Sequence, residues 1–217
     1  MPTMPTKELD LSVYVVLDGR FTRGREHLQV LTEIIRGGAT CIQLREKELS
    51  GRDFYTLAGQ VREQTEKHVV FFIVNDRLDI AMAVGADGVH LGQYDLPARA
   101  ARRIMPAEMF LGVTVRNEQQ AVQAQDDGAS YLGAGSVYAT STKTDTGRPM
   151  GLINLSTICR RITVPVVGIG GINAANAGAV IGAGATGVAV VSSVVSAVDI
   201  AGAAREIVAS VQEARQR

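Results

Sequence analysis

The sequence predicts an α/β fold, a single-domain (β/α)8 TIM barrel, on three observations. Eight short apolar, β-branched runs recur along the 217 residues, stretches of helical periodicity separate them, and no low-complexity tract or proline-rich linker divides the chain. A barrel of this class commonly uses about 200–250 residues. The length therefore suits one domain over 11–217, after an arm at 1–10. That arm, MPTMPTKELD, has two prolines and neither an apolar signal core nor an arginine-rich amphipathic stretch, so a short flexible segment is expected.

The expected strands, in order, are 11–18 (LSVYVVLD), 40–45 (TCIQLR), 69–76 (VVFFIVND), 88–92 (GVHLG), 110–115 (FLGVTV), 131–137 (YLGAGSV), 164–171 (VPVVGIGG) and 187–193 (GVAVVSS). They are nearly continuous in apolar residues rather than alternating with polar ones. That is the pattern of a parallel sheet covered on both faces. Between them, His27, Leu28, Leu31, Ile34 and Ile35, and then Phe54, Leu57, Ala58 and Val61, repeat with helical spacing. Ser50 and Asn117 stand where helices begin, and Gly37-Gly38, Gly85 and Gly128 where they end. The last helix is expected over roughly 199–215. The pieces Gly85-Ala-Asp-Gly88, Gly128-Ala-Ser-Tyr131 and Gly184-Ala-Thr-Gly187 read as repeated helix-stop turns without chemistry. Strand then helix, eight times over, favours a closed barrel, although an open doubly wound sheet has the same local periodicity.

Lysine and arginine total 22 and aspartate and glutamate 22, so net charge gives no pointer to nucleic acid, a membrane surface or an acidic partner. Small molecules are the expected partners, and a homodimer is left open. The two cysteines, Cys41 and Cys159, lie inside TCIQL and TICRR without metal-type spacing, which suits buried thiols in a reducing cytoplasm. No run reaches 18 apolar residues, the length a membrane helix needs.

In a barrel of this kind reactive groups gather at the carboxyl ends of the strands. Those ends read Gln43-Leu-Arg-Glu-Lys47, Asn75-Asp76-Arg77, Gly92-Gln-Tyr-Asp95, Thr114, Tyr138-Ala-Thr-Ser-Thr-Lys-Thr-Asp-Thr-Gly147, Gly168-Ile-Gly-Gly171 and Val191-Ser-Ser193. Alternation in an extended segment would project Gln43, Arg45 and Lys47 to one side and turn Leu44 and Glu46 away. An arginine fork and a lysine point charge suit phosphate oxygens, although the same residues also read as a solvated charge run opening a helix. Asp76 stands at the end of strand three and Asp95 in the loop after strand four, and since neighbouring parallel strands lie about 4.8 Å apart their carboxylates could meet and share a Mg²⁺ with waters and phosphate oxygens. Each also stands where it could cap the following helix. The glycines and serines after strands seven and eight lie where many barrels hold a phosphate on backbone N–H groups. His90, within its strand, reads as a packed, hydrogen-bonded histidine. Neither a Ser/His/Asp or Cys/His constellation nor a dinucleotide fingerprint emerges.

Taken together and in order, QLREK, ND at 75–76, GVHLGQYDLP, GVTV, GSVYATSTKTD, VPVVGIGGI and VVSS resemble the thiamine phosphate synthase family from about residue 11 onward. The resemblance implies a transferase of thiamine biosynthesis. It would join 4-amino-2-methyl-5-hydroxymethylpyrimidine diphosphate to 4-methyl-5-(2-phosphoethyl)thiazole, releasing diphosphate. It further implies that Gln43, Leu44, Arg45, Glu46 and Lys47, with Asn75, Thr114 and Lys143, hold the pyrimidine diphosphate. Arg45, Lys47 and Lys143 would be the catalytic cations, and Asp76 and Asp95 would bind Mg²⁺. Thr140, Ser141, Thr142, Gly171, Val191 and Ser192 would hold the thiazole phosphate. Thr114 stands where the family usually has serine, and Asp145 receives no ligand role. Two other readings are a thiazole tautomerase-like isomerase, which needs no diphosphate or metal residues, and a non-catalytic barrel that senses a phosphorylated metabolite.

Overall fold

A computed structural model describes residues 9–140, 142 and 148–216. Its eight parallel strands close on themselves. They are β1 (Val13–Asp18), β2 (Cys41–Arg45), β3 (Phe71–Asn75), β4 (Gly88–Leu91), β5 (Phe110–Val115), β6 (Tyr131–Gly135), β7 (Val166–Ile169) and β8 (Gly187–Val190). Each pairs with the next, and β8 returns to β1 through Tyr14 opposite Ala189. Each of the eight expected runs contains a strand, and closure removes the open-sheet alternative.

The helices are α1 (His27–Arg36), α2 (Gly51–Lys67), α3 (Leu78–Ala83), α4 (Ala98–Ile104), α5 (Glu118–Asp126), α6 (Gly151–Arg161), α7 (Ala174–Gly182), the one-turn α8 (Ser192–Val195) and α9 (Ile200–Arg215). Ser50 caps α2 by accepting from the Asp53 N–H, and Asn117 caps α5 by accepting from the Gln120 N–H. Gly38, Gly85, Gly128 and Gly184 follow helices with positive φ, the helix-stop conformation expected for them. Among the described residues no helix is long and apolar enough to cross a membrane.

Strand alternation sorts the side chains into two cores. Outward residues such as Val15, Leu17, Ile42, Leu44, Phe72, Val74 and Val89 pack against the helices. Complete burial of a side chain like Leu44 contributes about 1.5–3 kcal/mol. Inward residues Tyr14, Val16, Cys41, Phe71, Ile73, Tyr131, Val167 and Ala189 fill the barrel floor. The same parity carried one step up each strand brings Asp18, Gln43, Arg45, Asn75 and Thr114 to the mouth, where all five line one cavity.

The run 187–193 is not a strand throughout. The chain leaves β8 after Val190, Val191 adopts φ −123° and ψ −92°, and Ser192 and Ser193 open α8. The Val195 and Val194 N–H groups donate to Val191 O at 2.8 and 3.1 Å. The β-branched run Val190–Val195 looks like strand in sequence, yet its second half buries Val194 and Val195 from a helical turn.

Candidate active site

The mouth cavity lies between two walls, one from β1–β3 and the other from β6–β8. On the first wall Arg45 ends β2 and donates through Nη1 to Asp18 Oδ2 at 2.5 Å, while Arg20 grips the same carboxylate at 2.8 and 3.0 Å. The Asp18 side chain is only 3 % exposed and that of Arg45 11 %. Burial by itself would raise the Asp18 pKa, but the Arg20 bonds and the Arg45 charge outweigh it and hold the carboxyl below its ordinary value. A carboxyl depressed in the folded state contributes stability that is complete above its unfolded pKa and is lost as pH falls through its folded one. The melting temperature of the wild type should therefore exceed that of Asp18→Asn most at neutral pH, with the gap closing in acid below the usual carboxylate range. A gap that holds or widens in acid would contradict this coupling.

Gln43 and Asn75 are buried beside Arg45 and line the same cavity, as does Thr114 from β5. Leu44 and Glu46 do not face it. Leu44 packs into the outer core, and the Glu46 carboxylate accepts from the Gly19 N–H at 2.9 Å and contacts His27 Nε2 at 2.6 Å. The strand also stops at Arg45, so the alternation read through Lys47 does not carry it inward. Lys47 lies on the outer rim, about half exposed, with its Nζ on the Asp76 carboxylate.

Neither rim aspartate caps a helix. Arg77 and Pro97 occupy the N-cap positions of α3 and α4, without side-chain caps. Asp76 sits at φ +60°, in the left-handed region that aspartate tolerates better than most residues. The Asp95 carboxylate accepts from the Gly92 N–H at 2.7 Å and lies beside the Asp76 carboxyl group. Burial first, and then that contact with Asp76, raise the Asp95 pKa, against the Gly92 bond and the Lys47 charge. Two carboxylates forced together call for a proton or a cation. Among the described residues no third His, Cys, Asp or Glu joins them. A donor set of two carboxylates, completed by water and phosphate oxygens, fits Mg²⁺.

The second wall is shaped by a close backbone approach. Gly170 and Gly171 adopt φ +101° and +66°, and a Cβ on Gly171 would meet Ala139 O at 2.5 Å. That space lets the Val137 and Tyr138 N–H groups donate to Ile169 O and Gly170 O at 2.8 and 3.0 Å. The loop after β6 is thereby pinned across the end of β7, with Thr140 and Thr142 facing Val191 and Ser192 in the cavity. Thr142 Oγ1 lies 3.4 Å from Ser192 Oγ. Ser141, Lys143 and Asp145 lie outside the described residues.

Three buried polar atoms, Arg45 Nε, Ser136 Oγ and Ser193 Oγ, have no hydrogen-bond partner among the described residues, and all three residues line this cavity. Buried polar groups are almost always paired, so these three leave unused hydrogen-bonding capacity in the cavity wall. Ser136 was hidden in the apolar run YLGAGSV. Arg20 and Arg116 also line the cavity. Arg20 follows β1, a strand end whose polar residues sequence reading passed over. Tyr14 and Tyr131 lie within apolar strand runs that gave them no role, and His90 reads in sequence as a packed histidine. All three line the cavity floor, with His90 hydrogen-bonded as expected.

A closed (β/α)8 barrel with a pocket at the carboxyl ends of its strands, carrying unpartnered polar atoms in its wall, defines the class: a barrel enzyme acting on small molecules. The model of the thiamine monophosphate synthase family matches residues 13–194, and the chain belongs to that family. It is 50% identical over 203 residues to the thiamine-phosphate synthase of Moorella thermoacetica, covering 94% of this chain and 97% of that one. It is 47% identical over 209 residues to the thiamine-phosphate synthase of Chloroflexus aurantiacus, covering 96% of each. Among solved structures, thiamine phosphate pyrophosphorylase from Pyrococcus furiosus superposes with a TM-score of 0.88 at 38% identity, covering 94% of this chain and 97% of that one. A 3-hexulose-6-phosphate synthase, at 20% identity and a TM-score of 0.70 over 92% of this chain and 99% of that one, shares the fold.

Proposed function

We infer that this chain is a transferase that joins an aminopyrimidine-methyl diphosphate to a phosphoethyl-thiazole, releasing diphosphate and forming thiamine phosphate. The observation that carries the reading is a single cavity with two opposed polar walls. Arg45, Gln43 and Asn75 face Thr140, Thr142, Gly171 and Ser192, and unpartnered polar atoms come from both sides.

In the reaction the bond between the pyrimidine methylene carbon and the diphosphate oxygen breaks, and its electron pair leaves with the diphosphate. The thiazole nitrogen then supplies the pair for the new bond to that carbon. No side-chain nucleophile is needed. The protein holds the two heterocycles in line and stabilises charge where it builds, on the departing diphosphate. Arg45, anchored on Asp18, is pre-set for that task and needs no reorganisation. Lys47 would act from the rim, and the resemblance gives Lys143 the same task from the loop after β6. Asp76 and Asp95 would hold Mg²⁺, which when bound neutralises diphosphate oxygens. Thr140, Ser141 and Thr142, with Gly171, Val191 and Ser192, would keep the thiazole phosphate opposite. The same reading places the reaction in the cytoplasm, in keeping with the inert thiol of Cys159, whose pKa burial pushes up to about 11.

The test is to mix both substrates with the protein and follow diphosphate and thiamine phosphate, with Mg²⁺ and with a chelator. Product should form with Mg²⁺ and stop on chelation. No product with Mg²⁺ would overturn the reaction, and a rate indifferent to the chelator would overturn the metal roles of Asp76 and Asp95.

A further inference from the structure

Beneath the cavity runs a continuous line of hydrogen bonds through five strands. Gln43 Nε2 donates to Tyr14 Oη at 2.6 Å, Tyr14 and Tyr131 hydroxyls lie 2.9 Å apart, and His90 Nδ1 meets Tyr131 Oη at 3.1 Å. His90 Nε2 meets Thr114 Oγ1 at 2.9 Å. The barrel register explains how they meet. His90 on β4 pairs with Gly112 on β5, and Gly112 with Tyr131 on β6. A Cβ on Gly112 would fall 2.3 Å from Tyr131 Oη and 2.4 Å from His90 Nδ1, so glycine there is what lets the two rings touch.

Each phenol has one proton to give, and both tyrosines are completely buried, which pushes their pKa values well above the ordinary range and keeps them neutral. Each phenol proton finds an acceptor within the line only if every member points the same way. With the Gln43 amide nitrogen on Tyr14, Tyr14 must donate to Tyr131, and Tyr131 to His90 Nδ1. The imidazole is then neutral with its proton on Nε2, which donates to Thr114. The remaining polar edge of Gln43 is its carbonyl oxygen beside its second N–H.

Acceptor beside donor is the complement of an aminopyrimidine edge, an exocyclic N–H beside a bare ring nitrogen. An oxopyrimidine presents the reverse, a carbonyl beside a ring N–H, and a freely turning amide would flip to accept it. We propose that Tyr14, Tyr131 and His90 are positioning residues whose one-directional hydrogen-bond line locks the Gln43 amide against that flip and so selects aminopyrimidine over oxopyrimidine diphosphates. This rests on the pyrimidine-binding reading of Gln43 and extends it from a contact to a source of specificity. A flip would require Tyr14, Tyr131, His90 and Thr114 all to reverse together, or would leave buried groups unpaired, the kind of mismatch by which polar sites discriminate most strongly.

Two measurements decide it. Nitrogen-15 NMR of the histidine rings in the resting, ligand-free protein, assigned with His90→Gln, should show His90 neutral with its proton on Nε2. A proton on Nδ1 would overturn the proposed direction. In parallel, kcat/KM is compared for the aminopyrimidine diphosphate and its oxo analogue in the wild type and in Tyr131→Phe. That variant keeps the ring and the Gln43–Tyr14 bond but frees the Tyr14 hydroxyl to point either way. The ratio of the two kcat/KM values should fall by about tenfold or more, a loss of about 1.4 kcal/mol of discrimination. A merely structural role would lower both rates together, and an unchanged ratio would overturn the proposal. A wild type that makes no thiamine phosphate would strike the assignment of the reaction instead, while the tautomer, read without substrate, would still decide the direction of the line.

Discussion

Replacing Arg45 with methionine is expected to lower kcat/KM by about a hundredfold to a thousandfold, the usual effect of removing one preorganised donor from a site of charge development. Three features single out Arg45 for this test. Its guanidinium is held by Asp18 at 2.5 Å, so its orientation is fixed before substrate arrives. Its Nε is buried without a partner among the described residues, and the side chain lines the cavity, so donor capacity remains for a ligand. Lysine could replace the charge but not the planar fork, so Arg45→Lys should recover only part of the loss. Removing one partner from a buried ion pair can cost about 3–5 kcal/mol. Here Arg20 still grips Asp18 with two bonds, so the fall in stability should be well below that. The measurement is steady-state kcat and KM beside the melting temperature. A folded Arg45→Met protein with wild-type kcat/KM would remove Arg45 from the catalytic set.

Sequence reading succeeded wherever a local rule and the barrel agreed. Eight apolar runs with helical spacers announced the strands, and alternation placed Gln43 and Arg45 inward and Leu44 outward, as found. It failed where a local rule ran past its element. Lys47 was given strand alternation two residues beyond the end of β2, and Ser192 and Ser193 were given to β8 although the backbone turns at Val191. Asp76 and Asp95 had helix caps as a plausible local alternative, and only the tertiary arrangement, which turns both carboxyls to each other, removes it. The hydrogen-bond line from Gln43 to Thr114 could not be read at all. Its members stand at 14, 43, 90, 114 and 131, and what joins them is a closed register plus the missing side chain of Gly112. A pattern read along the chain carries neither.

Asp76→Asn should separate metal binding from scaffolding at the rim. Asparagine also tolerates the left-handed backbone that Asp76 adopts at φ +60°, so the turn survives the change. The neutral amide relieves the like-charge contact that helps raise the Asp95 pKa. It also releases Lys47, a loss worth little because an exposed ion pair contributes only about 0–1 kcal/mol. The melting temperature should therefore stay close to wild type. Activity should not. If Asp76 holds Mg²⁺, losing its carboxylate weakens a cation that would neutralise diphosphate charge, a contribution of several kcal/mol to such reactions, so at a fixed low Mg²⁺ concentration kcat/KM should fall about a hundredfold. The Mg²⁺ concentration for half-maximal rate should rise in step, and added Mg²⁺ should recover part of the rate. That combination distinguishes a ligand from a partner that merely holds Lys47 in place. If Asp76 only anchored the lysine, the variant would lose rate without any shift in its Mg²⁺ requirement, and extra Mg²⁺ would restore nothing.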